Sequence, residues 1–278
     1  MAEGLVYAAT ETQAADVLFP ASEDRHTSRN PIVVLTYAHA GAEVLAGALS
    51  ASRSLTCTSG TGLLPLCHAA AMAWQNAEGP GAPSPLAMKS IRAMAATLAA
   101  VIQAGAGATR WCETALAPPV AAETFLRVFP ETMFVCLHRS MTAVLADGIA
   151  AYPWGLGGSP FWPYSAGHPG NNVATIAAYW TACTEALLEF EDQHPQSCVR
   201  VKHEDLTAEP DLQTRAIYAR LGLDTRDLPV PPQPALIQSS ASANRSDNAF
   251  LAPAQHVPSS LLTKINELHS RLNYARPW

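Results

Sequence analysis

Charged residues are scarce in this sequence. Asp, Glu, Lys and Arg make up only 14% of its 278 residues, and the net charge is −6 at neutral pH. Because lysine and arginine form no cluster, the sequence does not favour a nucleic-acid-binding surface. Apolar runs of membrane-spanning length are also missing, although 49% of the residues are hydrophobic. We therefore expect a protein with a sizeable core that has neither a nucleic acid nor a membrane as its partner.

Two other patterns are missing, one at the N-terminus and one among the cysteines. The chain does not open with a basic segment followed by a long apolar one, so we expect no signal peptide and a cytoplasmic location. None of the six cysteines forms a CxxC pair, which favours free, mostly buried thiols. No spacing of His, Cys and Asp resembles a metal site, so we expect no metal. We interpret residues 1–30 as a flexible lead-in and residues 31–278 as a single domain.

The most informative stretch begins at Pro31. Ile32–Leu35 is a continuous apolar run, which is typical of a strand buried on both faces. A short turn containing Gly41 follows, after which apolar residues recur at helical spacing. A strand, a tight loop and a helix start present unpaired backbone N–H groups and the positive end of the helix dipole, which suit an anionic ligand. The loop is not a Walker A sequence, because it lacks the Gly-Lys-Ser/Thr ending.

Further apolar runs predict the other strands and helices. The run at 110–114 carries Glu113, and the run at 133–137 is followed by His138 and Arg139. Strands are also predicted at 54–58 and 198–202, and helices at 64–75, 86–104, 173–193 and within 258–278. This order predicts an α/β fold with a parallel sheet flanked by helices. Ligands of such sheets bind at the carboxyl ends of the strands, where Arg139 is placed.

Three stretches resemble one known family. They are the strand, loop and helix around Gly41, the segment with Phe129, Pro130, Phe134 and Arg139, and the segment with Glu204, Asp205, Leu206, Pro210 and Leu221-Gly222-Leu223. They resemble the sulfotransferase superfamily, whose enzymes use the sulfuryl donor 3'-phosphoadenosine 5'-phosphosulfate (PAPS). The resemblance runs from about Pro31 to Tyr274 and implies a sulfotransferase-like α/β fold with a P-loop-like opening. It also implies that Glu204 and Asp205 are mostly structural, capping the helix that follows.

The resemblance implies where the nucleotide binds. The family loop that cradles the 5'-phosphosulfate corresponds to Gly41 and Ala42. The family arginine that binds the 3'-phosphate corresponds to Arg139. Arg245 is the only basic candidate in the late region that closes over the nucleotide in the family. PAPS is therefore the implied cosubstrate.

Several positions depart from the family pattern. His39 replaces the lysine or arginine of the first loop, and Glu43 replaces its second threonine. Asp147 replaces the serine that follows the family arginine by eight residues, and Thr114 replaces a lysine next to Glu113. Because carboxylates repel phosphates and two cations are lost, these changes bear on function.

The candidate catalytic residues are His39, Glu43, Glu113 and Asp147. Sulfuryl transfer needs a base for the proton of the acceptor and groups that neutralise charge on the transferred group. Either His39 or Glu113 is the base. Three of the four candidates are acids, and this set is better suited to general acid/base chemistry or to a cationic substrate.

The segment 152–172 is rich in aromatic residues, glycine and proline. It is interpreted either as a flexible lid over an apolar substrate or as a packed surface loop. The candidate substrate-binding residues are Tyr37, Ser59, Thr61, Trp154, Phe161, Trp162 and Tyr164.

Three functions follow as hypotheses. The first is a sulfotransferase-like enzyme that transfers a sulfuryl group from PAPS to a small, largely apolar acceptor. The second keeps the fold but has lost PAPS use, and performs cyclisation, isomerisation or hydrolysis on a small molecule. The third is a non-catalytic protein that binds a small molecule. The sequence leaves the oligomeric state open.

Overall fold

The structure is a computed structural model that describes residues 31–51, 55–79, 81, 83–104, 110–115, 119–228 and 253–277. The expected lead-in at 1–30 and the candidate Arg245 lie outside these residues. Five strands form one parallel sheet in the order β2-β3-β1-β4-β5. They are β1 (Ile32–Leu35), β2 (Leu55–Ser59), β3 (Arg110–Ala115), β4 (Met133–His138) and β5 (Cys198–Lys202).

Helices flank the sheet, as the element order predicts. In chain order they are α1 (Ala42–Leu49), α2 (Leu63–Glu78), α3 (Pro85–Ala104), α4 (Pro119–Val128), α5 (Met141–Ala151), α6 (Asn172–Gln193), α7 (His203–Ala208), α8 (Pro210–Arg220) and α9 (Ser259–Arg271). Short 3-10 helices lie at Trp162–Gly167, Thr225–Asp227 and Pro253–His256. Within the described residues, no helix combines the length and hydropathy that a membrane span requires.

The apolar runs of the sequence form the centre of the sheet. In β1, Ile32 pairs with Cys112 of β3 on one side and with Met133 of β4 on the other. All four residues of β1 are buried, because helices cover both faces of a parallel sheet. All six cysteines are free, and four of them are buried.

The chain reverses its winding direction between β1 and β4. From β1 the chain leads to β2, which lies beyond β3 on one side, and from β4 it leads to β5 on the other side. Ligands of open parallel sheets bind in the crevice at such a point, outside the carboxyl ends of the strands. The loop after β1 and the residues after β4 therefore border the crevice in which the fold places a ligand.

Candidate functional site

The loop after β1 ends in an uncapped helix start. His39 and Gly41 both have a positive φ, of 63° and 91°, and Gly41 is the N-cap of α1. No side chain caps this helix. Among the described residues, the N–H groups of Gly41, Ala42 and Glu43 have no hydrogen-bond acceptor. These N–H groups and the helix dipole form a cradle for an anion.

Arg139 lies at the other side of the crevice and its backbone is held firmly. The Tyr37 hydroxyl donates to the Arg139 carbonyl at 3.0 Å and accepts from the Arg139 N–H at 2.9 Å. The indole N–H of Trp180 donates to the same carbonyl at 2.9 Å. Tyr37, a candidate for substrate binding, is thus a buried residue that positions Arg139.

One nitrogen of the Arg139 guanidinium is already paired, while Nε is buried with no hydrogen-bond partner among the described residues. Its Nη1 donates to Asp147 Oδ2 at 2.6 Å and to the His39 carbonyl at 2.7 Å. The two charged side chains are only 12% and 25% exposed. The residue that the family resemblance assigns to a phosphate thus carries a carboxylate as its partner.

This pairing opposes the binding of a second anion. Two unit charges about 4 Å apart near a protein surface interact by about 4 kcal/mol. A phosphate monoester carries roughly −1.5 to −2 charges at neutral pH. Because Asp147 cancels the charge of Arg139, a phosphate placed here meets repulsion as well as attraction.

His203 is a site residue that the sequence analysis missed. It follows β5 directly and is the first residue of α7. Its ring lies against Gly41, so that a Cβ at Gly41 would lie only 2.6 Å from His203 Nε2. Burial lowers the pKa of His203, and the charge of Arg139 lowers it further, against the opposing charges of Glu204 and Asp147. Its place at the carboxyl end of a strand-like run, like that of Arg139, is the sequence signal that could have found it.

His39 faces an aromatic group. Its ring stacks on Phe161 with centroids 5.5 Å apart and meets the edge of Tyr152 at 6.1 Å. Burial lowers the pKa of His39, while the carboxylate of Asp147 raises it and the charge of Arg139 lowers it again. The imidazole is therefore neutral at pH 7 and can accept a proton.

Glu113 belongs to a separate cluster. It lies in β3 opposite Val33 and Thr58, and only 1% of its surface is exposed. Burial raises the pKa of Glu113, and the nearby Thr61 hydroxyl and Leu63 N–H only partly offset this effect. Its Oε2 is buried with no hydrogen-bond partner among the described residues. Within the described residues, Glu113 makes no hydrogen bond or ion pair with the group around Arg139. Thr61, a candidate for substrate binding, lies near Glu113, and its hydroxyl accepts from the Leu63 N–H at 3.3 Å.

The other candidates near the loop lie at the surface. Glu43 is exposed in the first turn of α1, and Ser59 is exposed at the end of β2. Among the charged candidates, His39, Arg139 and Asp147 interact with one another, and no hydrogen bond or ion pair within the described residues joins Glu43 or Glu113 to them.

The aromatic segment is folded but unevenly buried. Phe161 is fully buried, and Tyr164 packs its ring against Tyr179 at 5.5 Å. By contrast, Trp154 is 99% exposed and Trp162 is 56% exposed. The segment thus has a packed base at the site and two free tryptophans, which are available for a ligand.

Buried polar groups brace the elements around Arg139. Glu204 accepts from the Ser140 N–H at 2.9 Å and from the Tyr274 hydroxyl at 2.7 Å, and so caps α5 instead of its own helix. His269 Nε2 accepts from the Met141 N–H at 3.3 Å. These contacts hold the start of α5 behind the ion pair, so Glu204 braces α5 and not the helix that it was expected to cap.

The comparison with family models decides the classification. The model of the sulfotransferase family matches residues 31–227. The chain belongs to the sulfotransferase family. It is therefore a transferase, as the resemblance implies. No curated protein matches the chain significantly.

Solved sulfotransferase structures share this fold. A sulfotransferase domain from the curacin biosynthetic pathway is 17% identical with a TM-score of 0.56, and the match covers 89% of this chain and 98% of that one. A sulfotransferase domain from the olefin synthase of Synechococcus PCC 7002 is 15% identical with a TM-score of 0.54, covering 89% and 96%. A sulfotransferase from Alicyclobacillus acidocaldarius is 10% identical with a TM-score of 0.51, covering 89% and 97%. The predicted sulfotransferase-like sheet is thereby confirmed.

Proposed function

We propose that this enzyme transfers a sulfuryl group from a nucleotide phosphosulfate to a small, largely apolar acceptor. The observation that carries the proposal is the row of unpaired N–H groups at the start of α1, next to Arg139 at the crevice between β1 and β4. A helix start of this kind favours anions such as a phosphosulfate.

The site fits one end of PAPS, the donor that the family suggests, better than the other. The N–H groups of Gly41, Ala42 and Glu43 suit its 5'-phosphosulfate end. The Arg139–Asp147 pair does not suit its 3'-phosphate, because it has no net charge and Nη1 is already bonded twice. The donor set supports a phosphosulfate nucleotide, and it disagrees with PAPS at the 3' position.

His39 is the general base in the proposed reaction. The donor supplies a sulfur atom whose bond to a phosphate oxygen breaks as its bond to the acceptor oxygen forms, and the acceptor must lose its proton. His39 is neutral at pH 7 and lies in the loop that forms the anion cradle, so it is the group placed to take that proton. Phe161 and Tyr152 pack against its ring, which is half-buried.

The aromatic residues support an apolar acceptor. The partly buried Tyr152 lies beside His39, and Trp154 and Trp162 offer exposed apolar surface on the same segment. Apolar walls with few polar groups are typical of small-molecule sites.

A second candidate function is acid/base chemistry without a nucleotide. It is favoured by the grouping of two histidines, His39 and His203, with Asp147 around Arg139. Proton donors and acceptors grouped in this way suit isomerisation, cyclisation or hydrolysis.

Transfer of labelled sulfate separates the two functions. The protein is incubated with ³⁵S-labelled adenosine 5'-phosphosulfate or ³⁵S-labelled PAPS and a panel of aryl and alkyl alcohols, and label in the organic product is counted. We expect transfer by the wild type and its loss in His39→Gln. Absence of transfer from both donors, together with absence of adenine nucleotide binding, would contradict sulfuryl transfer and favour the second function.

A further inference from the structure

The ion pair between Arg139 and Asp147 bears on the choice of nucleotide. We infer, on the basis of the proposed sulfuryl transfer, that the donor bound here carries a free ribose 3'-hydroxyl in place of a 3'-phosphate, as adenosine 5'-phosphosulfate does. The Asp147 carboxylate then favours a nucleotide with a free ribose 3'-hydroxyl over a nucleotide with a 3'-phosphate.

The contacts of Arg139 occupy its Nη1, whereas its Nε is buried without a hydrogen-bond partner in the described part of the chain. Nη1 donates to Asp147 at 2.6 Å and to the His39 carbonyl at 2.7 Å, and both charged side chains are mostly buried. Tyr37 and Trp180 fix the backbone of Arg139, so the side chain starts from a rigid point. A phosphate at Nη1 would have to displace the carboxylate, and a phosphate at Nε would lie near the carboxylate charge and be repelled by it.

The charges around the pair do not favour a dianion either. His39 and His203 are uncharged at pH 7 because burial lowers the pKa of each. Lys202, which precedes His203, already pairs with Asp205 at 3.2 Å. Among the described residues that interact with His39 or His203, Arg139 is the one cation, and Asp147 and Glu204 are anions. The immediate surroundings therefore have a net charge of zero or below.

A carboxylate is the natural partner of a ribose hydroxyl. Dinucleotide-binding proteins use the same distinction, since an acidic residue binds the free ribose hydroxyl of NAD and an arginine accommodates the phosphate of NADP. Asp147 Oδ2 is taken by Arg139, while Oδ1 has no partner among the described residues and can accept from a hydroxyl. Arg139 then orients the Asp147 carboxylate, and Asp147 Oδ1 accepts a hydrogen bond from the ribose 3'-hydroxyl.

The test is a pair of titrations that do not depend on turnover. Adenosine 5'-monophosphate and adenosine 3',5'-bisphosphate are titrated calorimetrically into the wild type at pH 7.5 and one fixed salt concentration. We expect the monophosphate to bind at least tenfold more tightly, which corresponds to about 1.4 kcal/mol. In Asp147→Asn and Asp147→Ser, we expect the preference to shift toward the bisphosphate by about tenfold or more.

A matched control removes the same charge elsewhere. Asp192 also pairs with an arginine, Arg271, at 2.6 Å, but on an exposed surface. Asp192→Asn is therefore expected to leave the nucleotide preference within twofold of the wild type. Equal shifts in Asp192→Asn and Asp147→Asn would overturn the assignment, because they would trace the effect to net charge alone.

The outcomes separate this inference from the proposed function. Tighter or equal binding of the bisphosphate by the wild type overturns the inference and leaves sulfuryl transfer standing. Binding of neither nucleotide by the wild type and the Asp147 variants overturns both. If both Asp147 variants fail to fold, the preference of the wild type still decides.

Discussion

The two left-handed residues of the first loop set its local chemistry. Gly41 has a φ of 91° and lies in contact with the His203 ring, so a side chain there meets both backbone strain and a clash. His39 holds its own positive φ, which is uncommon for a residue with a Cβ, next to an aromatic stack. Strain of this type is concentrated at functional sites.

Replacing Gly41 by alanine is expected to destabilise the protein by about 1–3 kcal/mol, because the positive φ is strained for alanine and the new Cβ meets His203. Urea unfolding measures the loss. The double variant Gly41→Ala, His203→Ala removes the clash and keeps the strain, so we expect it to be destabilised less than the sum of the two single variants. Simple additivity would show that the ring moves aside without cost.

Replacing His39 by glutamine is expected to lower kcat by roughly 10²–10⁴-fold, which is the usual contribution of a general base. Nucleotide affinity should change little. Because the pKa of His39 is lowered, the rate of the wild type should fall only when the pH drops below about 6.5, where free histidine titrates. The exposed His256 serves as the control, and His256→Gln should leave kcat unchanged. An unchanged pH–rate profile in His39→Gln would assign the base to another group.

At the level of elements, the aromatic segment combines a packed base with an open surface. Phe161 fits beneath α5 so closely that a Cβ at Gly148 would lie 3.0 Å from its ring. The 3-10 helix Trp162–Gly167 follows, and Asn171 caps α6 by accepting from the Ala174 N–H at 3.0 Å. The segment is therefore anchored at Phe161 and at Asn171, and Trp154, which precedes both anchors, is exposed.

Replacing Trp154 and Trp162 by alanine is expected to raise the KM for an apolar acceptor at least fivefold while Tm changes by less than about 2 °C, since neither side chain is part of the core. Phe161→Ala should behave in the opposite way and cost about 3–5 kcal/mol of stability. A large fall in Tm with an unchanged KM in the tryptophan variant would place these side chains in structural contacts instead.

The cap of α5 predicts a pH dependence of stability. Burial lowers the pKa of His269, against the Ala275 carbonyl and Glu204, which raise it. Below a pH of about 6.5 the unfolded chain takes up a proton that the folded protein resists, so the free energy of unfolding should fall as the pH drops from 7.5 to 5.5. His269→Gln removes this titration, and urea unfolding at the two pH values should show a smaller difference in the variant. An equal difference would assign the effect to His39 and His203, whose lowered pKa values act in the same direction.

For the whole molecule, the apolar runs predicted the elements and the resemblance predicted the fold. The bounds of β1 and β5 match their predictions, and β4 is one residue longer, because continuous apolar runs leave little choice of strand position. The grouping of the site was harder to predict. Glu113 precedes the end of β3 and lies near Thr61 and Leu63, and no sequence pattern indicates which strand-end residues share a neighbour. His203 was missed for the same reason, since its contact with Gly41 joins positions far apart in the chain.

The tyrosine hydroxyls beneath the loop have a consequence for motion. The Tyr37 hydroxyl joins the loop after β1 to the backbone of Arg139 after β4. The Tyr179 hydroxyl of α6 accepts from the Ala38 N–H in the same loop at 2.8 Å. These hydrogen bonds, together with the pairing of β1 and β4, hold the carboxyl ends of the two strands together. We therefore do not expect the two strands to separate when a ligand enters. We therefore expect ligand entry and release to depend on movement of the segment that carries the exposed Trp154. Backbone relaxation at the carboxyl ends of β1 and β4 should be the same with and without nucleotide. Movement of the segment that carries Trp154 should limit the rate of turnover.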